Sequence, residues 1–234
     1  MKAIHLFLFM LMMPLFALSQ ITKVYNWEGG FFLGAANYSG DINPSESPRL
    51  NDTRLSLGIG GRVPLNAKFG LRSNLIYGRF VGDDVNFPER LDRNFRFETN
   101  LFELNVLGEF EPFGRDRFYS NAQGDVEMDK LISPYLFAGL GFAYMNLNPD
   151  FSGNTSASLR DEIAADLRES STRLNIVLPI GLGLKIDLST KYSFAVESGL
   201  RLTFSDYIDG ISMAAGPDAD DIYLFTGVVV YRRF

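Results

Sequence analysis

The sequence is poor in the side chains that most enzymes use. It contains no cysteine and a single histidine, His5, among 234 residues. Without cysteine the chain can form neither disulfides nor thiolate metal sites. Ser-His-Asp and Cys-His catalysis lack their base once an N-terminal segment carrying His5 is removed. These absences predict a protein that is not an enzyme and holds no cofactor or metal ion, although chemistry by carboxylates alone stays open.

Positive charge is also scarce, and long apolar runs are missing. The chain carries 22 Lys and Arg against 28 Asp and Glu, a formal net charge of -6. No basic cluster is present, which argues against nucleic acid as a partner. Beyond the N-terminus, no stretch has the ~18 consecutive apolar residues that a spanning helix needs.

The N-terminal residues predict export. Lys2 precedes an apolar run from Leu6 to Leu18, and small residues around Ser19 offer a cleavage site. A short positive start, a short apolar run and small residues together are typical of a secretory signal peptide. We therefore expect residues 1–19 to be a signal peptide and residues 20–234 to form one domain.

The rest of the chain alternates with a period of two. From Arg173 to Asp187 every even position is leucine or isoleucine, while the odd positions include Gly181, Gly183 and Lys185. Successive side chains of a β-strand point to opposite faces, so this pattern predicts a strand with one aliphatic face. Similar strands are expected at about 27–38, 54–64, 69–78, 95–111, 134–146, 173–187, 192–204 and 222–234.

The connections between these strands alternate in length. Two are short, at 66–68 and 189–191, whereas the segment at 112–133 is long and breaks the alternation. The other long connections are 39–52, 81–94, 147–171 and 205–221. Long outer loops with short periplasmic turns are typical of outer-membrane barrels. Leu159, Ile163 and Leu167 also predict a short amphipathic helix within 156–170.

These features favour an all-β fold, an eight-stranded antiparallel transmembrane β-barrel with a short helix in one extracellular loop. Strands of ~12 residues tilted by ~40° cover about 30 Å, which matches the hydrocarbon thickness. We expect the bacterial outer membrane as the location and its lipid as a partner. A secreted soluble barrel or sandwich is the alternative, and it would turn its aliphatic face inward.

The non-apolar face then points into a narrow lumen, where an unpaired ion costs several kcal/mol. We therefore expect a salt-bridged network that fills the lumen, with a proton or ion path along the same charges as the functional alternative. A change of phase near Leu101 and Phe102 predicts a β-bulge. Pro179 predicts a bulge or an unpaired carbonyl opposite it. The network is expected to contain Arg54, Arg62, Arg72, Glu98, Glu103, Glu109, Lys185, Glu197 and Arg201.

Acidic residues cluster at the predicted outer strand ends. Their oxygens could bind Ca²⁺ or bridge lipopolysaccharide through divalent cations, but Asp also sets turns, which favours solvated turn residues. We expect the helix carboxylates Asp161, Glu162 and Asp166 to be solvated as well. The clustered residues are Asp41, Asp83, Asp84, Asp206, Asp209, Asp218, Asp220 and Asp221.

Six segments, in order and spacing, resemble the PorG-like family of outer-membrane β-barrels from Bacteroidetes-type bacteria. They are 37–44 (NYSGDINP), 75–79 (LIYGR), 134–141 (PYLFAGLG), 179–185 (PIGLGLK), 203–212 (TFSDYIDGIS) and 221–225 (DIYLF). Some members of that family are components of the type IX secretion system and associate with its periplasmic ring lipoprotein. The resemblance implies a non-enzymatic barrel in or near that machinery.

The long segment at 112–133 is the candidate contact with such a ring. Aromatic and arginine side chains are enriched at protein interfaces, and the segment offers Phe113, Arg115, Arg117, Phe118 and Tyr119. An ordinary ordered loop at the barrel rim is the alternative for this segment. A structural or adhesive surface barrel acting through its outer loops is the alternative for the whole protein, and a lipid-directed enzyme is disfavoured by the missing histidine.

Overall fold

A computed structural model of the chain describes residues 27–40, 42, 50–169, 173–205, 207–215 and 221–234. The predicted signal peptide lies outside the described residues. The strands are β1 (Glu28–Ser39), β2 (Arg54–Pro64), β3 (Phe69–Asp83), β4 (Arg96–Phe110), β5 (Phe118–Ser120), β6 (Val126–Met128), β7 (Ile132–Asp150), β8 (Arg173–Asp187), β9 (Tyr192–Thr203) and β10 (Ile222–Arg233).

Eight of these strands close into an antiparallel barrel, which confirms the predicted fold. The order around the barrel is β1-β10-β9-β8-β7-β4-β3-β2, and the last strand pairs with the first. Strands β5 and β6 form a separate two-stranded hairpin inside the long 112–133 connection. Helix α1 (Arg160–Glu169) lies in the connection where a short helix is predicted. None of the helices in the described ranges is long and apolar enough to cross a membrane.

The two ends of the barrel differ. We call the end that holds Trp27, Phe234 and the short turns the terminal end, and the opposite end the loop end. Strands β3, β4 and β7 have 15, 15 and 19 residues, longer than the 12 of β1, β9 and β10. Strand β8 also has 15 residues, but it begins at Arg173 opposite Met145 of β7, and the pairing of β2 with β3 ends at Gly78. Strands β3, β4 and β7 therefore extend beyond their neighbours at the loop end.

The barrel has its aliphatic side chains outside and its charged side chains inside. Along β8 the side chains of Leu174 and Leu182 are 67% and 60% exposed, whereas Lys185 is 2% exposed. The predicted facing of this strand is thus confirmed. A soluble barrel would show the opposite arrangement, because its core is built from aliphatic residues.

Inward-facing glycines make room for aromatic rings. Gly183 pairs with Tyr135 and Gly181 with Phe137 across the β7–β8 ladder. A Cβ atom on Gly183 would lie 2.6 Å from ring atoms of Tyr135, and one on Gly181 would meet the ring of Phe137. From the alternation alone, Gly181 and Gly183 are expected to leave space in the lumen for larger charged neighbours. The structure shows that buried rings, both 3% exposed, occupy the space instead.

The predicted β-bulge in β4 is wrong. Every odd residue from Phe97 to Glu109 points inward, and the pairing with β3 and β7 has no slip. Pro179 also causes no bulge, since its register with Arg201 on β9 is regular. On the β7 side the ladder stops after the Ala138 pair and resumes at Gly141 in the same register. Proline has no N–H to donate, and the strand accommodates this missing donor by an interruption of the hydrogen-bond ladder, without a bulge.

The glycine positions predict different responses to a methyl group. Gly183→Ala should lower the free energy of unfolding by about 1–3 kcal/mol, because the Tyr135 ring is held by its hydroxyl and cannot move freely. Gly61→Ala is the matched control, since a Cβ there meets nothing within 4 Å. Urea unfolding in detergent micelles measures both. Equal stability of the two variants would contradict the packing described above.

Candidate functional site

The lumen holds a continuous network of ion pairs that is densest at the terminal end. Arg62 is its centre. Its Nη1 atom lies 2.9 Å from Glu28 Oε2 and its Nη2 atom 2.8 Å from Glu111 Oε1, while Nε donates to Glu109. These three carboxylates come from β1, β4 and the residue after β4, so one guanidinium joins separate parts of the barrel wall.

The network continues through β8 and β10. Lys185 and Arg117 both pair with Glu111, and Arg117 Nε also lies 3.2 Å from Asp187 Oδ2. Arg233 pairs with Asp187 and, at 3.0 Å, with Glu28 Oε1. We call this group the terminal-end cluster, and it contains Glu28, Arg62, Glu109, Glu111, Arg117, Lys185, Asp187 and Arg233.

The Glu111 carboxyl shows how strongly the terminal-end cluster favours ionised groups. Burial alone raises the pKa of a carboxyl group. At Glu111 the positive charges of Lys185, Arg62 and Arg117 outweigh burial and lower the pKa from 4.5 to about 2. The carboxylate therefore remains charged at neutral pH despite its buried position.

A second group of charges fills the middle of the lumen. Arg72 Nη1 lies 2.8 Å from Glu197 Oε2, and the Tyr135 hydroxyl donates to the same carboxylate at 2.8 Å. Arg72 Nε is 3.1 Å from Glu109 Oε1, an ion pair whose angle is not that of a hydrogen bond. The Arg72 guanidinium also lies over the ring of Phe137, 5.1 Å from its centroid.

A third group lies towards the loop end. Glu103 lies 3.3 Å from Arg201 Nε and accepts a 2.7 Å hydrogen bond from the Tyr223 hydroxyl. The amide of Asn105 donates to the other carboxylate oxygen of Glu103. Among the described residues, the lumen below the loop end thus holds six cationic side chains and six carboxylates, which are Arg62, Arg72, Arg117, Lys185, Arg201, Arg233, Glu28, Glu103, Glu109, Glu111, Asp187 and Glu197.

The structure brings together seven of the nine predicted lumen residues, all except Arg54 and Glu98. The prediction that Glu98 faces the lumen is wrong. Its side chain points outward and pairs with Arg79, and the two side chains are 37% and 46% exposed. The same prediction for Arg54 is also wrong. It lies at the rim of the loop end and donates to the backbone carbonyls of Asn51 and Thr53.

Several members of the lumen network were not expected from the sequence. Glu28, Asp187 and Arg233 lie at strand ends. The alternation of each strand, extended to its last residues, would have indicated that these side chains face the lumen. Glu111 lies just beyond β4, and only the fold of the following segment turns it inward. Hydroxyl groups that complete the network come from Tyr135, Tyr223 and Tyr231.

The five predicted contact residues of the 112–133 segment divide into two sets. Phe113 is 70% exposed, and Arg115 and Tyr119 are exposed as well. Arg117 and Phe118 turn towards the barrel, which corrects the expectation that all five side chains face a partner. Arg117 belongs to the terminal-end cluster, and the Phe118 ring lies under the guanidinium of Arg233 at 5.4 Å. The inward pair anchors the β5–β6 hairpin, and the outward set faces away from the barrel.

The described part of the connection between β9 and β10, residues 207–215, folds over the loop end. Its buried residues include Ile208, Asp209 and Ile211. The Tyr38 hydroxyl lies 2.8 Å from Asp209 Oδ2 and 2.6 Å from Asp221 Oδ1, and the second Asp221 oxygen accepts the Ile208 N–H at 2.7 Å. These contacts hold the connection inside the mouth of the barrel.

Helix α1 is hydrogen-bonded to the described part of the β9–β10 connection. Asp166 is fully buried and accepts the backbone N–H groups of Met213 and Ala214 at 3.0 and 2.9 Å. The expectation of a solvated Asp166 is therefore wrong. The 3.6-residue periodicity of a helix indicates which side carries Asp166, but not that another connection lies against that side.

The acidic residues at the loop end serve as turn and ion-pair groups where the structure describes them. Asp84 accepts hydrogen bonds from Nε and Nη2 of Arg93, at 2.7 and 2.8 Å, and Asp83 accepts the N–H of Val85. Asp41, Asp206, Asp218 and Asp220 lie outside the described residues. Among the described ones, no three acidic, histidine or cysteine side chains are arranged to hold a metal ion.

The outer face of β3, β4 and β7 shows a sharp boundary. Tyr77, Phe102 and Tyr144 are directly opposite one another across the three strands and form what we call the aromatic row. The rings of Tyr77 and Phe102 lie 5.0 Å apart. Two residues further towards the loop end, the outward positions become polar, with Arg79 and Asn100 opposite each other.

A polar groove of about 460 Å³ lies above this boundary, and we call it the outer-face groove. It runs along the loop-end extension of the three long strands and reaches the start of β2. Asp83, Arg96 and Asp150 face one another across it in a single row, and Arg96 Nε lies 3.0 Å from Asp83 Oδ2. The other polar side chains that line it include Arg54, Asn86, Glu98 and Asn148.

The buried and exposed ion pairs predict unequal effects of the same substitution. Arg62→Met leaves three buried carboxylates without their shared cation and should lower the free energy of unfolding by about 3–5 kcal/mol. Arg79→Met removes an exposed pair and should change it by about 1 kcal/mol or less. Urea titrations of both variants in lipid vesicles check this. A similar loss for both would contradict a stabilising lumen network.

Glu111 predicts a specific loss of stability in acid. Its folded pKa lies below 4.5, so its contribution is present above about pH 4.5 and is lost as the pH falls towards 2. The full contribution is roughly 3 kcal/mol. The difference in unfolding free energy between wild type and Glu111→Gln should therefore narrow from neutral pH to about pH 2. A difference that stays constant over this range would refute the assignment.

Comparisons with known proteins place the chain in a family without indicating an activity. No curated protein matches it. Solved barrels are similar in shape: Neisserial surface protein A (11% identity, 89% of this chain, 97% of that one, TM-score 0.49) and the attachment invasion locus protein Ail of Yersinia pestis, in complex with sucrose octasulfate (10%, 91%, 100%, 0.46). At these values the likeness carries no functional argument. A family model matches residues 2–234, and the chain belongs to the family described as a domain of unknown function, DUF6089.

Proposed function

We propose that this protein is an outer-membrane β-barrel that neither conducts solutes nor catalyses a reaction, and that it is a structural component of the type IX protein secretion machinery. The observation that carries the membrane placement is the inverted polarity of the barrel. Its outer face exposes leucine, isoleucine, valine and phenylalanine, while arginine, lysine and glutamate fill the inside. Water would solvate such a molecule poorly, whereas lipid suits its surface.

The height of the apolar surface fits a membrane. On β3 the outward positions run from Phe69 through Leu71, Ser73 and Leu75 to Tyr77 without a charge. Eight residues at ~3.3 Å each and a tilt of ~40° give about 20 Å along the membrane normal, close to the ~25 Å band of such barrels. Phe69 faces Phe110 at one edge, and the aromatic row marks the other, as interfacial rings do.

The filled lumen supports a structural role over a pore. The charged side chains that face the lumen are nearly inaccessible, with Arg72, Glu103 and Lys185 at 2%, 0% and 2% exposed. The β9–β10 connection covers one end, and the β5–β6 hairpin packs against the other. A proton path along the same charges gains no support, because each cation is held in contact with fixed carboxylates.

The secretion role rests on the resemblance to PorG-like proteins and on the terminal end. We place this end in the periplasm, because short turns lie there in outer-membrane barrels. Phe113, Arg115 and Tyr119 are then exposed to a periplasmic partner on the 112–133 segment, which contacts the barrel through Arg117 and Phe118. A rigid support with exposed aromatic and arginine side chains suits a protein contact, here with the ring lipoprotein.

A double substitution tests this contact. Phe113→Ala with Tyr119→Ala should abolish co-purification of the ring lipoprotein and reduce secretion of cargo that carries a C-terminal sorting domain. Leu188→Ala is the matched control, since this apolar residue is exposed on another terminal-end turn. It should change neither readout. Full co-purification with the double variant would refute the contact.

A structural or adhesive surface barrel is the second candidate. The loop-end extension of β3, β4 and β7 favours it, because these strands carry polar side chains above the apolar belt. Deletion of the gene separates the two candidates. Loss of cargo secretion supports the secretion component, whereas normal secretion with loss of adhesion supports the surface barrel.

A further inference from the structure

We propose that the outer-face groove is a saccharide-binding site. It is distinct from the lumen and from the proposed periplasmic contact, and it lies on the opposite end of the barrel. About 460 Å³ is room for one or two sugar rings, within the usual range of small-ligand sites. The inference rests on the membrane placement proposed above, because the height of the groove relative to lipid determines which ligands reach it.

The position of the groove points to the outer-leaflet headgroup region. The aromatic row of Tyr77, Phe102 and Tyr144 marks the level at which rings meet the membrane surface. Asn148 and Asp150 follow Tyr144 on the same outward face of β7, four and six residues further on. At ~3.3 Å per residue and the tilt of a barrel strand, they lie about 10–15 Å above the row. Lipid-linked sugars occupy this level.

The side chains of the groove suit neutral hydroxyl groups better than phosphate. Arg96 pairs with Asp83, and Arg54 donates to the backbone carbonyls of Asn51 and Thr53. Arg79, just below the groove, pairs with Glu98. Each of these guanidinium groups is therefore already engaged by protein oxygens. Among the described residues, the lining carries four carboxylates and two guanidinium groups, so their net charge is negative and disfavours phosphate. Sugar hydroxyls both donate and accept, and carboxylates already oriented by arginine accept from them well.

Two amide side chains provide unused hydrogen-bonding groups. Within the described part of the chain, the side chains of Asn86 and Asn148 make no hydrogen bond to another protein group, although both line the groove. Each offers two donors and one acceptor in an arrangement that vicinal hydroxyls match. Asn146 has the same chemistry two residues away on the same face of β7, but it lies outside the groove.

The saccharide could be the headgroup of an outer-leaflet glycolipid or a soluble glycan, and the experiment separates these sources. The full-length protein is tested in nanodiscs with and without rough lipopolysaccharide, and in detergent with the released core oligosaccharide. Asn86→Ala with Asn148→Ala should weaken binding at least tenfold, about 1.4 kcal/mol. The Asn146→Ala control should stay within about twofold. Thermal unfolding of both variants verifies that the barrel is intact.

Each outcome of the binding experiment either supports or overturns the proposed saccharide site. Binding of both probes, weakened only by the double variant, supports a site for the saccharide itself. Binding of the lipid-linked form alone supports a glycolipid site, and binding of the free oligosaccharide alone supports a soluble glycan. No binding, equal binding by all variants, or full competition by inorganic phosphate overturns the proposal. The secretion test changes residues at the terminal end, whereas this test changes residues at the loop end. Failure of one proposal therefore does not affect the interpretation of the test of the other.

Discussion

The charges in the lumen of this barrel must pair with one another, because the side chains that carry them are buried. Arg62 meets that requirement for three carboxylates at once, from β1, β4 and the segment that follows β4. Lys185 and Arg233 extend the network to β8 and β10. A register slip by one residue would move such charges to the aliphatic face, so the pairing also specifies the register.

Strand parity was the part of the sequence that predicted most of the architecture. Alternation along 173–187 correctly predicted β8, its aliphatic outer face and the inward position of Lys185. The same reasoning located Arg62, Arg72, Glu103, Glu109, Glu197 and Arg201 inside. It succeeded because, along the apolar part of the outer surface, the two faces of a strand lie in surroundings of opposite polarity. The outer face meets lipid, and the inner face meets the charged side chains of the lumen.

Parity failed where strands extend beyond that apolar surface. Beyond the aromatic row the outer face of β4 is polar and its inner face apolar, so Glu98 points out while Phe97 and Leu101 point in. The sequence shows this reversal as a change of phase, which resembles a bulge. Asp166 and Arg117 illustrate a second limit. Their partners come from connections distant in sequence, and no local pattern encodes such contacts.

Barrel closure depends on residues from opposite ends of the described chain. Phe234 stacks on Trp27 at 4.2 Å, and Arg233 pairs with Glu28 across 205 residues. Contacts of such sequence separation form slowly, since a long loop must close before they contribute. Until β10 arrives, Glu28 lacks one of its two cations and the edge of β1 stays open. The nascent lumen is therefore open along the edge of β1, and it closes only when the final strand pairs with β1 and β9.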